Sequence, residues 1–249
     1  MCTLILAFQA LADAPVAAAA NRDERLDRPA VPPRVTVVRD GPDILAPRDE
    51  RAGGTWIGTN EAGLFAAITN RWTDDPLPAT RSRGLLVDDV LHQSSADEAA
   101  RVVENALRTD DYDGFLLVVA DADRAILLEW TGHLAVRGFD PGVHVVTNVG
   151  ADDDGSIPPE RADAGRRQME NAGRLRVELA PRPNEGYLAW LDRAGEALGD
   201  HDYGVCVHGD GFGTRSASLV ALPPDEDVLH RFADGPPCET PFEPADGQF

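Results

Sequence analysis

The sequence contains no lysine, and its charge is strongly unbalanced towards acid. All 23 basic residues are arginine, whereas Asp and Glu together number 43, which gives a formal net charge of −20 at pH 7. This balance argues against a nucleic-acid partner, because such partners are bound by basic surfaces. An acidic surface suits high salt, where screening weakens the repulsion between like charges. We therefore expect a salt-adapted, halophilic protein.

Cysteine is also scarce. The chain has three cysteines, Cys2, Cys206 and Cys238, which are too few and too scattered for a disulfide scaffold or a CxxC metal site. Its six histidines form no HExxH or HxxxH pattern. The sequence therefore predicts no metal site and indicates a reducing compartment.

Long hydrophobic runs are absent as well. No uninterrupted apolar run approaches the ~18–20 residues that span a bilayer, so we expect no stable membrane insertion. The apolar first 20 residues lack a basic region and are interrupted by Gln9, Asp13 and Pro15, which argues against a signal peptide. We expect a cytoplasmic protein. No linker or repeat divides the chain, which predicts a single domain over residues 1–249.

Hydrophobic periodicity predicts an α+β order of strands, helices, strands, helices and strands. Predicted strands cover 3–9, 15–22, 35–39, 55–59, 63–69, 114–120, 124–130, 133–138, 143–148, 204–208, 214–221 and 227–232. Predicted helices lie within 82–107, with a break at Ser95 or Ala96, and over 158–179 and 184–198. The strands of 114–148 indicate an antiparallel meander. This order predicts two sheets packed face to face with helices on their outer faces.

Cys2 is the first candidate functional residue. If Met1 is removed, Cys2 carries both a thiol and a free α-amine, whose pKa of about 7.7–8.0 lets it accept the thiol proton. A nucleophile would then carry its own base. The alternative is that Cys2 is an ordinary small apolar residue of a buried first strand.

Polar residues at strand ends provide further candidates. In a strand, Asn21 and Asp23 point to one face and Arg22 and Glu24 to the other. An inward Asp23 needs a cation or donors, and the α-ammonium of Cys2 is a candidate partner. The alternative is a solvent-exposed charged turn.

Three more candidates follow the same logic. Asn70 follows the predicted strand 63–69 and Asn148 ends the predicted strand 143–148, and a side-chain amide at such a strand end could polarise a substrate carbonyl. Arg215 begins a strand after a Gly-rich loop, where a guanidinium could bind a carboxylate or lower the pKa of a thiol. A strand terminator and a surface arginine are the alternatives for these residues.

Together these motifs resemble the NRDE family, to which the eukaryotic Transport and Golgi organisation 2 proteins belong. The resemblance spans nearly the whole chain and implies a four-layer αββα fold of the N-terminal-nucleophile hydrolase type, with two stacked antiparallel sheets flanked by helices. It rests on Met1-Cys2, Asn21-Arg22-Asp23-Glu24, Gly53-Gly54-Thr55-Trp56, Ile68-Thr69-Asn70-Arg71, Arg81-Ser82-Arg83-Gly84, Val146-Thr147-Asn148 and Gly213-Thr214-Arg215-Ser216.

A more distant resemblance implies a mechanism. The turn Asn60-Glu61-Ala62-Gly63-Leu64, followed by Asn70, is similar to one in the penicillin V acylase and bile-salt hydrolase group of cysteine amidohydrolases. One difference is that Ala20 stands where those hydrolases have an arginine. The implied roles are Cys2 as nucleophile, Asp23 orienting the α-amine, Asn70 and Asn148 as oxyanion hole and amine contact, and Arg215 tuning the thiolate.

The leading hypothesis is therefore hydrolysis of a small-molecule amide, at a non-peptide C–N bond, by Cys2 after removal of Met1. This chemistry requires no cofactor. Resemblance to the eukaryotic family members implies an alternative, a non-catalytic carrier that binds haem or an acyl-CoA or lipid ligand in the same pocket. A third possibility is a structural member of the fold without activity.

Overall fold

The predicted α+β order is present. A computed structural model describes residues 2–247 and Phe249. Within these residues the strands, in chain order, are β1 (Thr3–Phe8), β2 (Val16–Arg25), β3 (Ala30–Thr36), β4 (Ile44–Asp49), β5 (Ile57–Asn60), β6 (Phe65–Asn70), β7 (Phe115–Ala120), β8 (Ala125–Trp130), β9 (Leu134–Gly138), β10 (Gly142–Thr147), β11 (Gly150–Ala151), β12 (Asp154–Gly155), β13 (Phe212–Leu222), β14 (Leu229–Ala233) and β15 (Glu243–Pro244). The α-helices are α1 (Arg83–Leu91), α2 (Ala96–Ala106), α3 (Ala162–Glu178) and α4 (Tyr187–Gly199).

Two units divide the chain, and each contains one antiparallel sheet. The first unit comprises Met1–Arg28 and Pro141–Ala245, and its strands run in the order β12-β11-β10-β1-β2-β13-β14-β15. The second unit comprises Pro29–Asp140 and Asp246–Phe249, and its strands run from β3 to β9 in chain order. The second sheet is therefore built from neighbouring strands. In the first sheet, β1 pairs with β10 and β2 pairs with β13, and both pairs join segments that are far apart in the sequence.

Small residues let the helices of the first unit lie close to its sheet. Ile5 and the alanines Ala17 and Ala19 point to one face and pack against the α3 and α4 side chains Leu175 and Trp190. The Trp190 indole nitrogen donates to the Leu179 carbonyl at 2.8 Å, so burial of this large ring leaves its polar atom satisfied. In the second unit, α1 and α2 cover an equivalent apolar face.

The structure corrects three of the predicted strands. The segment 204–208 is not a strand, because Gly204 turns the chain in the left-handed region after a short 3-10 helix, His201–Tyr203. The predicted strand 35–39 lies earlier, as β3, and β4 was missed because Pro47 and Arg48 interrupt its apolar pattern. The predicted meander ends at β9, since β10 pairs instead with β1 in the other sheet.

Two of the glycine-containing motifs pack against each other in the second unit. A Cβ on Gly54 would lie 2.2 Å from the carbonyl carbon of Gly84, and the Thr55 amide donates to the Gly84 carbonyl at 3.0 Å. Ser82 caps α1 by accepting from the Gly84 amide. These motif residues therefore seat helix α1 against the strand that follows Gly54.

Replacing Gly54 with alanine should destabilise the protein by about 3 kcal/mol or more, because its Cβ would overlap backbone atoms that cannot rotate away. The matched control is Gly173→Ala in α3, where a Cβ meets nothing within 4 Å. That variant should be more stable than the wild type by roughly 0.5–1 kcal/mol, from helix propensity alone. Urea unfolding of both variants measures the difference, and equal effects would contradict the close approach.

Burial also isolates a histidine in the first unit. His230, on β14, is 3% exposed, and its Nε2 lies 3.2 Å from Ser218 Oγ. This burial lowers the pKa of His230 to about 3, so the folded protein holds the ring neutral. The unfolded chain protonates it near its ordinary pKa of about 6.5. Stability from the neutral ring is therefore complete above a pH of about 6.5 and is lost as pH falls towards about 3.

At pH 5 this histidine should lower the free energy of unfolding by about 2 kcal/mol relative to pH 8, at about 1.36 kcal/mol per pH unit below about 6.5. His230→Gln should lose that part of the pH dependence, whatever its stability at pH 8. The exposed His133→Gln should keep it. Urea unfolding at both pH values and constant ionic strength provides the measurement, and an unchanged pH dependence in His230→Gln would disprove the assignment.

No helix among the described residues is both long and apolar enough to cross a bilayer.

Candidate active site around Cys2

Cys2 lies immediately before β1, and its thiol contacts the backbone of the neighbouring strand. The Asp23 amide donates to Cys2 Sγ at 3.4 Å, and Sγ donates to the Asp23 carbonyl at 3.7 Å. The side chain is partly buried. The predicted neighbourhood of Cys2 and Asp23 is therefore present, although the thiol contacts the peptide of Asp23 and not its carboxylate. The predicted removal of Met1 concerns a residue outside those the structure describes.

Strand register places an arginine beside the thiol. Thr3 lies across from Asn21, so the next position brings Cys2 across from Arg22. Burial raises the pKa of the Cys2 thiol, and the Asp23 carboxylate raises it further, while the hydrogen bond from the Asp23 amide and then the Arg22 guanidinium lower it. Arg22 is itself buried. The arginine that favours the thiolate is thus the neighbour of Asp23 in the sequence.

The Asp23 carboxyl lies on the other face of β2, as strand parity predicted. Thr214 Oγ1 donates to Asp23 Oδ1 at 2.6 Å and accepts from the Val207 amide at 2.8 Å. Asn21, on the same face, donates to the carbonyls of Leu198 and Val205. Burial raises the pKa of the Asp23 carboxyl, although the hydrogen bond from Thr214 lowers it. Asn21-Arg22-Asp23 therefore forms a buried strand segment and not an exposed turn.

Arg215 occupies a β-bulge. Thr214 pairs with Asp23 and Ser216 pairs with Arg22, so the residue between them is the extra one. Its guanidinium donates to Asp234 Oδ1 at 2.6 Å. Of the two roles considered for this guanidinium, binding a carboxylate and lowering the pKa of a thiol, the structure shows a carboxylate of the same chain as its partner.

Asn148 follows β10 and is held by a residue that the sequence analysis missed. Gln168, buried on α3, accepts from the Asn148 backbone amide and donates to its Oδ1, both at 3.2 Å. The side-chain oxygen of Asn148 is thereby engaged, which turns its NH₂ group away from Gln168. Gln168 also lines a small cavity with Thr3, Thr147 and Asn171. Hydrophobic periodicity does not identify Gln168, because a polar residue on the buried face of a helix breaks the apolar pattern.

Asn70 belongs to the second unit. It ends β6, as predicted, pairs with Phe115 of β7 and is exposed. Its successor Arg71 is buried and forms an ion pair with Glu129 at 2.6 Å. Cys2, Asp23, Asn148 and Arg215 all belong to the first unit.

The family model for Transport and Golgi organisation 2 matches residues 1–228. The chain belongs to this family. A mouse Transport and Golgi organization 2 homolog is 33% identical over 106 residues, which cover 41% of this chain and 37% of that protein. A bovine Transport and Golgi organization protein 2 homolog is 27% identical over 240 residues, which cover 84% of this chain and 83% of that protein.

Solved structures agree on the fold. The Caenorhabditis elegans N-acylethanolamine-hydrolyzing acid amidase ortholog matches with a TM-score of 0.60 and 16% identity, over 90% of this chain and 94% of that one. Penicillin V acylase from Agrobacterium tumefaciens matches with a TM-score of 0.58 and 15% identity, over 93% of this chain and 82% of that one. A single-residue variant of conjugated bile acid hydrolase from Clostridium perfringens matches with a TM-score of 0.54 and 12% identity, over 94% of this chain and 89% of that one. The fold is therefore N-terminal-nucleophile hydrolase-like, as the sequence resemblance implied.

Replacing Arg22 and replacing Arg215 should have different effects on the pKa of the Cys2 thiol. In a Cys206→Ser/Cys238→Ser background, where Cys2 is the remaining thiol, Arg22→Gln should raise the pKa of Cys2, because it removes the adjacent positive charge. Arg215→Gln should leave that pKa unchanged, since Asp234 neutralises Arg215. The pH dependence of iodoacetamide alkylation measures both variants, with circular dichroism confirming that each is folded. A shift in Arg215→Gln alone would restore the role first expected for Arg215.

Proposed function

We propose that this protein is an N-terminal cysteine amidohydrolase that cleaves a non-peptide C–N bond after removal of Met1. The observation that supports this most directly is the contact between the Cys2 thiol and the Asp23 peptide, on a strand whose Asp23 carboxyl is buried. Penicillin V acylase, conjugated bile acid hydrolase and N-acylethanolamine-hydrolyzing acid amidase share the fold, which favours an amide substrate.

The chemistry requires one residue to act as both nucleophile and base. The α-amine of Cys2 takes the thiol proton, and Sγ attacks the carbonyl carbon of the amide. The C–N bond then breaks, the leaving amine takes the proton from the α-ammonium, and a thioester remains. Water attacks the thioester with the α-amine as base, which releases the carboxylic acid and restores the thiol.

The other candidate residues stabilise charge in this proposal. The side-chain amide of Asn148 donates to the oxyanion, and the link to Gln168 would hold that amide in one orientation. Arg22 favours the thiolate. Removal of Met1 would leave an α-ammonium on Cys2, and the Asp23 carboxylate orients that group.

Intact mass and activity test the proposal together. Protein that has lost Met1 should hydrolyse one member of a panel containing penicillin V, a conjugated bile acid and an N-acylethanolamine. Cys2→Ala should lower the rate by at least about 10³-fold, because the nucleophile is removed. Asp23→Asn should also lose activity, whereas Asp27→Asn, an exposed carboxylate of the same segment, should not. Retention of Met1 in every molecule would overturn the hydrolase assignment.

One observation favours a second function, a haem or acyl-lipid carrier. Burial raises the pKa of the Cys2 thiol and disfavours the thiolate, and in a chain that keeps Met1 the nitrogen of Cys2 lies in a peptide bond and cannot act as the base. Such a chain could bind a ligand without cleaving it. Saturable haem binding followed by absorbance, or retention of a fluorescent acyl-CoA, would support the carrier, and the absence of both would remove it.

A further inference from the structure

Four metal-ligating side chains meet in the first unit, outside the site around Cys2. They are His201, Cys206, His208 and Cys238, and their ligand atoms all lie within 4.8 Å of one another. The two sulfurs are 3.5 Å apart, and His208 Nε2 lies 3.6 Å from Cys206 Sγ and 3.1 Å from Cys238 Sγ. The imidazole of His201 stacks on that of His208, with ring centroids 5.1 Å apart.

The separations among Cys206, His208 and Cys238 fit a tetrahedral metal centre. Bond lengths of ~2.3 Å to sulfur and ~2.0–2.1 Å to nitrogen at tetrahedral angles place two sulfurs ~3.8 Å apart and a sulfur and a nitrogen ~3.6 Å apart. The three observed distances lie within about 0.5 Å of those values. A disulfide would require a sulfur–sulfur distance of about 2.05 Å, and Cys206 and Cys238 are both free thiols.

The backbone brings three of these ligands together within eight residues. His201 lies in the 3-10 helix, and Gly204, with φ of 63°, reverses the chain so that Cys206 and His208 return beside it. Val207, between these two ligands, is fastened to β13 by hydrogen bonds in both directions with Thr214 at 2.8 Å. The loop that carries the ligands is therefore held by the sheet.

The fourth ligand arrives from the C-terminal turn. Pro236 accepts from the amides of Glu239 and Thr240, which closes a turn around Cys238. A Cβ on Gly199, at the end of α4, would lie 3.2 Å from the Pro237 carbonyl and 3.3 Å from the Cys238 amide. Glycine at this position lets the turn approach the helix end closely and places the second thiol beside the first.

We propose that His201, Cys206, His208 and Cys238 bind one zinc-class metal ion in a structural Cys₂His₂ site. Two thiolates and two imidazoles are the ligand set that favours Zn²⁺, and four protein ligands leave no open position for a substrate. Binding replaces the two S–H bonds with two S–Zn bonds and releases two protons to the solvent.

The metal ties the C-terminal turn to the loop that supports Asp23. The Val207 amide donates to Thr214 Oγ1, and Thr214 donates to Asp23, so the ligand loop is two hydrogen bonds from the carboxyl. The site is independent of any hydrolase activity, because it rests on geometry outside the Cys2 pocket. Its direct consequence is stability of the first unit.

Metal titration of the reduced, chelator-treated full chain tests the proposal. Zn²⁺ should bind at one equivalent per chain and raise the melting temperature, and Co²⁺ should give the visible absorption of a tetrahedral thiolate complex. Cys238→Ser and His208→Asn, both exposed positions, should each weaken binding by at least about 100-fold. Cys2→Ser and the exposed His92→Asn are the matched controls, and both should bind as the wild type does.

Alkylation offers a second measurement. Zn²⁺ should protect Cys238 from iodoacetamide while leaving the reactivity of Cys2 unchanged, which mass spectrometry of the modified peptides resolves. Absence of stoichiometric binding to the reduced chain would overturn the proposal. Equal binding by the wild type and Cys238→Ser would overturn it as well. Formation of a Cys206–Cys238 disulfide in a reduced chain that takes up no metal would replace it with a redox pair.

Discussion

Three consecutive polar side chains are buried in a central strand of the first sheet. Distant segments of that unit supply hydrogen-bond partners to two of them, Asn21 and Asp23. Asn21, Arg22 and Asp23 are 2%, 7% and 5% exposed. Burial of an amide or a charge without partners costs several kcal/mol, so each of them requires donors or acceptors from elsewhere. The partners of Asn21 and Asp23 come from the neighbouring strand β13, from the end of α4 and from the loop after it. This requirement couples segments as far as 191 residues apart in the chain.

The two faces of β2 separate the chemistry. On one face Arg22 lies across from Cys2, and its charge favours the thiolate. On the other face Asp23 meets Thr214, which also fastens the loop that carries Cys206 and His208. A single strand therefore connects the candidate nucleophile with the four-residue cluster, although the two sites share no ligand. Alternation of side chains along a strand, which is a local property, produces this division.

Local patterns predicted the elements of both units better than they predicted which strands pair. The hairpin of β5 and β6 and the helices α1 and α2 follow from turn glycines, capping serines and helical spacing, because their contacts are close in sequence. The first sheet depends on pairing between distant segments, which periodicity cannot assign. The bulge at Arg215, which turns its guanidinium to Asp234, and the link from Gln168 to Asn148 were invisible for the same reason.

The histidines and cysteines illustrate the same limit. Spacing rules search for ligands within a few residues of each other, and Cys206 and His208 alone form too short a motif to signal a metal. Cys238 follows 32 residues after Cys206, and its turn packs closely on the end of α4 at Gly199. Gly199 binds no metal itself, but it is part of the packing that places Cys238 beside Cys206.

Removal of Met1 would change the electrostatics of the whole strand. Burial raises the pKa of both Cys2 and Asp23, so each group on its own resists ionisation. An α-ammonium on Cys2 would place a positive charge on the residue that pairs with this strand, and a positive charge favours both the thiolate and the carboxylate. The same cut that creates the base therefore moves the N-terminal positive charge onto the residue that carries the nucleophile.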